Sequence, residues 1–169
     1  MAPTTHPQTE VRTGSGGRTD AALRYTEILE LYARQAWQLD GFDADGFAAT
    51  FTAGASFSHV SSGEVLVGPE AIAAAVRRVA ERRAGAVHRH WFSQLLVEPA
   101  EEGAVPDSEG GAADGDAVRA RYYAIVSVTG KDGAVAWDPS CVVEDVLVRR
   151  DGRWLTAERV VRRDDLLLR

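Results

Sequence analysis

The spacing of hydrophobic positions along the chain changes near Gly85, from a helical repeat to an alternating one. Before Gly85, apolar residues recur every three or four positions, which is typical of helices that pack by one face. Capping residues, prolines and glycines then set the predicted bounds of three helices. The predicted helices run from Thr19 or Asp20 to Asp40, from Asp43 to Phe51, and from Gly68-Pro69-Glu70 to Gly85, with short strands over 55–60 and 64–67.

After Gly85, apolar and polar residues alternate, as in half-buried strands. The alternation predicts strands over residues 86–98, 117–129, 134–149 and 154–163, the third interrupted near Asp138-Pro139. Glycine-containing turns at Lys131-Asp132-Gly133 and Asp151-Gly152 join neighbouring strands as hairpins. Helices followed by hairpins indicate an α+β domain, in which three N-terminal helices cover a curved antiparallel sheet and enclose a pocket.

Two segments show neither pattern. Residues 1–18 mix Pro, Thr, Gly and Ser without periodicity, and we expect a disordered leader there. Residues 99–116 are acidic and rich in Gly and Ala, which favours a flexible insertion at a hairpin tip. The remaining chain, residues 19–165, is predicted to be a single domain.

Composition narrows the class of partner. The chain has 169 residues and a formal net charge of −6, which argues against nucleic acid or an anionic membrane surface and favours a small molecule. No apolar run approaches the roughly 20 residues that a membrane-spanning helix needs. The single cysteine, Cys141, excludes an internal disulfide and is expected to be a small buried hydrophobe in a cytoplasmic protein.

Candidate chemistry centres on Asp40, at the end of the first predicted helix, and His90, in the first long strand. A carboxylate that bonds one imidazole nitrogen fixes the tautomer and stabilises the imidazolium formed when the other nitrogen takes a proton. The pair therefore predicts a general base. Taken singly, Asp40 could instead be a turn residue and His90 a hydrogen-bonded pocket wall.

Several motifs together resemble the SnoaL-like branch of the nuclear transport factor 2-like superfamily. They are Tyr32-Ala33-Arg34 through Leu39-Asp40-Gly41-Phe42-Asp43, Phe47-Ala48-Ala49-Thr50-Phe51-Thr52, Gly68-Pro69-Glu70-Ala71-Ile72, and the stretch from Glu144-Asp145 to Gly152-Arg153-Trp154. The resemblance covers about residues 21–165. It implies a cone-shaped α+β barrel with a deep pocket, usually a homodimer and sometimes a trimer.

The resemblance also implies a role for Asp40 and His90. Members such as scytalone dehydratase carry an Asp at the end of the first helix and a His on the first long strand, and Asp40 and His90 match those positions. In such enzymes the His abstracts a proton and the Asp orients it. Scytalone dehydratase has a second pocket histidine on the next strand, and this chain has none there. A general acid would then be a tyrosine, Arg159 or a bound water.

Tyr122 and Tyr123 are adjacent on a strand, so only one of them can enter the pocket. We assign Tyr123 to the catalytic candidates and Tyr122 to the substrate-binding ones, although the alternation allows either to face inward. Arg159 shares a strand face with apolar residues, which favours contact with an anion or an enolate oxygen, and late-strand arginines occur in related enzymes. Its alternative is a salt bridge at the rim.

The remaining substrate-binding candidates are aromatic or imidazole side chains. Trp37 shares a helix face with Asp40, so it either lines the pocket or packs in the core. His88 and His90 form a His-x-His pair that could bind a metal, but no third ligand is near, so neither metal nor cofactor is expected. The other expected pocket residues are Phe57, His59 and Phe92.

These observations predict a cofactor-free dehydratase, cyclase or isomerase that abstracts a proton from a polyketide-like or polycyclic small molecule. Two alternatives remain. The protein could bind a small ligand without chemistry, or serve as a non-catalytic partner subunit, as the small subunits of ring-hydroxylating dioxygenases do.

Overall fold

The computed structural model describes residues 15–101, 103, 105 and 117–166. Within these residues, three helices and seven strands form an α+β domain with a curved, unclosed sheet. The helices are α1 (Ser15–Asp40), α2 (Ala44–Ala48) and α3 (Gly68–Arg82), with a terminal 3-10 turn at Asp164–Leu166. The strands are β1 (Phe51–His59), β2 (Glu64–Val67), β3 (Val87–Pro99), β4 (Ala117–Thr129), β5 (Val135–Trp137), β6 (Cys141–Arg150) and β7 (Arg153–Arg163).

The first two helices differ in length from the sequence prediction. Helix α1 begins at Ser15, within the segment expected to be a leader, and residues 1–14 lie outside the described part. Helix α2 stops at Ala48, so its predicted extension to Phe51 is wrong. The Thr50 hydroxyl donates to the Phe47 carbonyl at 2.6 Å, and Phe51 already pairs with Thr156 of β7. Most of the predicted insertion over 99–116 also lies outside the described residues.

The strand order is β2-β1-β7-β6-β4-β3, with the short strand β5 paired to β4. All pairs are antiparallel except β1 with β7, which are parallel, so the expectation of a purely antiparallel sheet is corrected. The predicted strand over 134–149 is divided into β5 and β6 around Asp138-Pro139. This division lets β5 pair with one end of β4 while β6 pairs with the rest.

A bulge in β3 keeps apolar side chains on the inner face of the sheet. Gln94 has a φ of 52°, and the pairing of β3 with β4 shifts between Ser93 and Leu96. Phe92 and Leu95, on either side of Gln94, therefore both pack on the core. The bulge preserves an apolar wall beyond His90.

Two apolar clusters surround the site. One joins Ile28 and Tyr32 of α1 to the inner face of β4 and β6, while the other joins α2, β1 and α3 around Phe47 and Ile72. These clusters fix α1 and α3 against the sheet and leave a cavity between them. None of the described helices is long and apolar enough to cross a membrane.

Candidate active site

Asp40 and His90 form a hydrogen-bonded pair. Asp40 is the last residue of α1, and its Oδ1 lies 2.8 Å from His90 Nδ1 and 2.9 Å from the His90 backbone nitrogen. The Asp40 side chain is 10% exposed and that of His90 is 21% exposed. The guanidinium of Arg89 lies 3.9 Å from Asp40 Oδ2. The structure thus brings together the two residues that the sequence analysis paired.

The geometry defines which imidazole nitrogen can act as a base. A carboxylate only accepts hydrogen bonds, so Nδ1 of neutral His90 carries the hydrogen and donates it to Asp40. The described residues provide no hydrogen-bond partner for Nε2. Because Asp40 also bonds the backbone of His90, it positions the residue as well as its ring.

His90 lines two adjoining cavities that share part of their walls, which we call the two lobes. The larger lobe has a volume of about 510 Å³ and extends beneath α3, while the smaller has about 270 Å³ and lies against β4, β6 and β7. Sites for small organic ligands typically have volumes of roughly 300–1,000 Å³. The residues that line both lobes are Leu39, Phe57, His59, Arg83, His90, Val126, Asp138 and Arg163.

A buried arginine contributes to the smaller lobe. The Arg159 side chain is 3% exposed and forms an ion pair with Asp145, which is 0% exposed. Arg159 Nε donates to Asp145 Oδ1 at 2.9 Å, and Nη2 donates to Asp145 Oδ2 at 2.6 Å and to Gln35 Oε1 at 2.7 Å. Tyr32 donates its hydroxyl to Asp145 at 2.9 Å. The predicted alternative of a rim salt bridge does not fit this buried position.

The network leaves one nitrogen of Arg159 without an acceptor. No described residue accepts a hydrogen bond from Nη1, and Arg159 lines the smaller lobe. The guanidinium carbon lies 5.3 Å from the Phe51 ring centroid and 5.6 Å from that of Phe57. Burial is the largest single effect and disfavours the charged form, but Asp145, Tyr122 and Tyr32 together raise the pKa of Arg159 above its ordinary value. Arg159 is therefore a permanent cation beside the lobe.

The model of the SnoaL-like domain family matches residues 20–160 of the chain. The chain belongs to the SnoaL-like family. Its fold is that of nuclear transport factor 2-like proteins, which have a cystatin-like fold. The sequence resemblance to this family and fold is confirmed. No curated protein matches this SnoaL-like chain.

Three solved structures illustrate the likeness. Aln2 from a Streptomyces species is 45% identical over 85% of this chain and 93% of its own, with a TM-score of 0.72. ActVI-ORFA from Streptomyces coelicolor is 32% identical over 83% and 97%, with a TM-score of 0.71. A Catenulispora acidiphila protein in complex with S-DNPA is 36% identical over 88% and 98%, with a TM-score of 0.69.

The two tyrosines of this SnoaL-like protein point to opposite faces of β4. Tyr122 is 3% exposed and lines the smaller lobe, whereas Tyr123 is 55% exposed and lines neither lobe. The catalytic assignment of Tyr123 therefore does not fit the structure. Burial raises the pKa of Tyr122 well above its ordinary value, although Arg159 opposes the shift. The Tyr122 hydroxyl thus stays protonated and can donate a hydrogen bond.

The other substrate-binding candidates, except Trp37, lie in the cavity wall. Phe57 and His59 line both lobes and stack with centroids 4.8 Å apart, Phe92 lines the smaller lobe, and His88 lines the larger. Burial is the main cause that lowers the pKa of both His59 and His88, so both are neutral near pH 7.

Trp37 lies outside the cavity and outside the core. Its side chain is 77% exposed, so both predicted positions are wrong. Helix α1 buries Ile28, Leu31 and Gln35 against the sheet, and Trp37 projects from another face of the helix. Trp37 was predicted to lie inward because it is three residues before Asp40. That spacing does not fix its direction, because Asp40 lies where the helix ends.

The described residues include no group of three or more His, Cys, Asp or Glu side chains arranged to hold a metal ion. His88 Nδ1 faces Arg83 Nη1 at 3.4 Å, so His88 accepts from a cation instead of pairing with His90. Cys141, expected to be a small buried hydrophobe, is half-buried and lines the smaller lobe. Burial raises the pKa of its thiol, which disfavours the thiolate.

Two residues that hold Arg159 in place, Asp145 and Gln35, were not predicted from the sequence. Asp145 lies between Val143 and Leu147, both of which are buried, so strict alternation would have placed a carboxylate on the inner face. Gln35 donates from Nε2 to the Thr50 and Thr156 hydroxyls at 2.9 and 3.2 Å. The position of Gln35 within the apolar face of α1 indicates that this polar side chain is buried and needs hydrogen-bond partners.

Proposed function

We propose that the protein is a cofactor-free dehydratase, cyclase or isomerase that acts on a polyketide-like or polycyclic small molecule. The observation that carries this proposal is the 2.8 Å bond between Asp40 Oδ1 and His90 Nδ1, at the junction of the two lobes. It leaves Nε2 of His90, a residue of the cavity wall, free to act as an oriented base.

In the proposed reaction, His90 Nε2 removes a proton from a carbon beside a carbonyl group, and Asp40 stabilises the resulting imidazolium. The electron pair moves onto the carbonyl oxygen, where Arg159 Nη1 stabilises the negative charge. This enolate then expels a hydroxyl from the neighbouring carbon, attacks a second carbonyl carbon of the ligand, whose oxygen takes a proton as the ring closes, or takes the proton back at a conjugated carbon. The three outcomes share the first step.

Tyr122 is our candidate for the general acid. Its protonated hydroxyl lines the same lobe as Arg159, with the guanidinium carbon 5.9 Å from the Tyr122 ring centroid. In a dehydration, Tyr122 would give its proton to the departing hydroxyl, which leaves as water, and would regain a proton from solvent. This assignment replaces the second histidine that scytalone dehydratase carries and this chain lacks.

Membership of the SnoaL-like family supports a role in polyketide tailoring. The complex of the Catenulispora acidiphila relative with the small molecule S-DNPA supports the binding of a ligand. Both similarities cover the whole domain. Polyketide tailoring and ligand binding are therefore part of the proposal for this chain. The cavity wall, made largely of aromatic and aliphatic side chains, suits a polycyclic ligand.

The test is turnover of polycyclic hydroxyketones by the wild type and by His90→Gln and Asp40→Asn. We expect both variants to lose roughly 100-fold or more in kcat, the usual contribution of a positioned general base. Asp45→Asn is the matched control, since Asp45 is 84% exposed and lines neither lobe. Wild-type turnover by both variants, on a compound that the protein converts, would refute the mechanism.

The binding-only alternative keeps one supporting observation, the absence of a histidine on β4. It predicts that every bound hydroxyketone is recovered unaltered from the wild type. Mass spectrometry of the recovered ligand separates the two functions, because dehydration lowers the mass by one water and cyclisation or isomerisation changes retention time.

A further inference from the structure

The larger lobe has a positively charged lining in an acidic protein. Its arginines outnumber its carboxylates by two, while the whole chain has a net charge of −6. The charged residues of this lining are Arg78, Arg82, Arg83, Arg163, Glu64 and Asp138. A local excess of one sign in a partly enclosed cleft concentrates the potential and favours a ligand of the opposite charge.

Arg82 has no partner in the described part of the chain. Arg78 is bound to Glu64 at 2.9 Å, and Arg83 is bound to Asp138 at 3.0 Å. Arg163 is bound at 2.9 Å to an aspartate outside the lobe. The two carboxylates of the lobe are thus already paired, and neither is available to neutralise Arg82.

The sequence of α3 explains why these cations face the cavity. Ile72, Val76 and Val79 repeat at helical spacing along the inner face, and Arg82 continues that repeat at the end of the helix. Arg77, in the same helix, lines neither lobe and pairs with Asp45. The helix therefore presents Arg78 and Arg82 to the cavity and Arg77 to the outside.

The two lobes meet at His90 and share some charged residues, but Arg78 and Arg82 line the larger lobe alone. Phe92, Val143 and Val161 line the smaller lobe alone and suit a ring system. The arginine that lines only this lobe, Arg159, is already paired with Asp145. A molecule with rings in the smaller lobe and its reacting carbon beside His90 can extend a further substituent into the larger lobe, which shares the His90 wall.

We propose that the larger lobe binds an anionic substituent of the ligand, a carboxylate or a group of equivalent charge, and that Arg82 makes the principal contact. The ligand class is then a polycyclic acid in place of a neutral polycycle or an ester. That the anionic ligand is a substrate rests on the proposed function. The preference of the cavity for an anion is a binding property and does not require turnover.

Two dyes test this preference without any turnover. The anionic dye 8-anilinonaphthalene-1-sulfonate and the neutral dye N-phenyl-1-naphthylamine share their rings and differ by one sulfonate. Their dissociation constants are measured by fluorescence for the wild type, Arg82→Gln, and the control Arg77→Gln, which removes the same charge from the other face of α3. Competition between the dyes establishes that they share one site.

We expect Arg82→Gln to weaken binding of the anionic dye about threefold to fivefold, the upper part of the range of a solvent-accessible ion pair, and to leave the neutral dye unchanged. Arg77→Gln should change neither constant by as much as about twofold. Salt at about 1 M, where the screening length is about 3 Å, should remove most of the difference between Arg82→Gln and the wild type.

Equal effects of Arg82→Gln on both dyes, or equal effects of both variants on the anionic dye, would overturn the proposal. So would the absence of competition between the dyes, because it would place the anionic dye elsewhere. The proposed function is affected by none of these results, since it depends on His90 and Asp40. Conversely, a charge preference that depends on Arg82 in a protein without turnover would retain this inference and reject catalysis.

Discussion

Replacing Asp145 by asparagine tests the buried ion pair on which the position of Arg159 depends. The substitution keeps the size of the side chain and removes its charge. Asp145 accepts hydrogen bonds from Arg159 Nε at 2.9 Å, from Arg159 Nη2 at 2.6 Å and from the Tyr32 hydroxyl at 2.9 Å. An asparagine retains one acceptor oxygen and turns an amide N–H group toward the donors of Arg159.

The expected cost follows from burial. The side chains of Asp145 and Arg159 are 0% and 3% exposed, so neither charge is hydrated when the other is lost. Removing one partner of a buried ion pair typically costs about 3–5 kcal/mol. Because asparagine keeps one acceptor, we expect a loss of about 3 kcal/mol in the free energy of unfolding. For a chain of this size, that loss lowers Tm by roughly 6–12 °C.

Urea denaturation followed by tryptophan fluorescence measures the loss, with Glu144→Gln as the matched control. Glu144 is the neighbouring residue and also pairs with an arginine, Arg162, but the two side chains are 42% and 43% exposed. An exposed pair of this kind contributes less than about 1 kcal/mol. If Asp145→Asn costs no more than Glu144→Gln, the ion pair does not stabilise the site as we describe.

Two further predictions concern pH and assembly. Burial lowers the pKa of His88 from its ordinary value of 6.5, so the unfolded chain binds the proton first, and the free energy of unfolding should decrease as the pH falls below 6.5. Urea denaturation at successive pH values should show a smaller decrease for His88→Gln, and an unchanged slope would contradict this cause. We also propose a homodimer through the outer sheet face, where Trp91, Tyr123 and Trp137 are 54%, 55% and 57% exposed. Trp137→Arg should then sediment as a monomer, whereas a wild-type monomer at micromolar concentration would exclude this interface.

The sequence allowed prediction of features that depend on local pattern and on the family resemblance. The α+β class followed from the change of period at Gly85, and the hairpins followed from their glycine turns. Asp40 and His90 could be paired because one lies at a helix end and the other at a definite position of a strand. The parallel pairing of β1 with β7 carries no such local signal, since no turn joins the two strands.

The inward direction of Tyr122 could have been predicted from the alternation along β4. Arg119 and Arg121 alternate with Val118 and Ala120 along β4, and the latter two are buried. Continuing that alternation assigns the next even-numbered residue, a tyrosine, to the inside. Trp37 was harder, because a tryptophan on a helix usually packs inward, and its 77% exposure depends on what α1 packs against.

Arg159 shows what sequence periodicity leaves out. Its inward direction followed from the apolar residues on its strand face, but its partners come from α1 and from β6, which are distant in sequence. Only the packing of these elements reveals that Asp145 and Gln35 occupy two nitrogens of Arg159. Which nitrogen of Arg159 is left for a ligand, in this case Nη1, therefore depends on tertiary packing.

Solvent deuterium exchange tests the central claim, proton abstraction by His90 oriented by Asp40, most directly. A polycyclic ketone that the protein binds is incubated in D₂O with wild type or Asp40→Asn, and deuterium beside the carbonyl is followed by NMR. We predict exchange catalysed by the wild type and slowed by roughly 100-fold or more in Asp40→Asn, with ligand affinity retained. Exchange at the wild-type rate in Asp40→Asn would contradict the account.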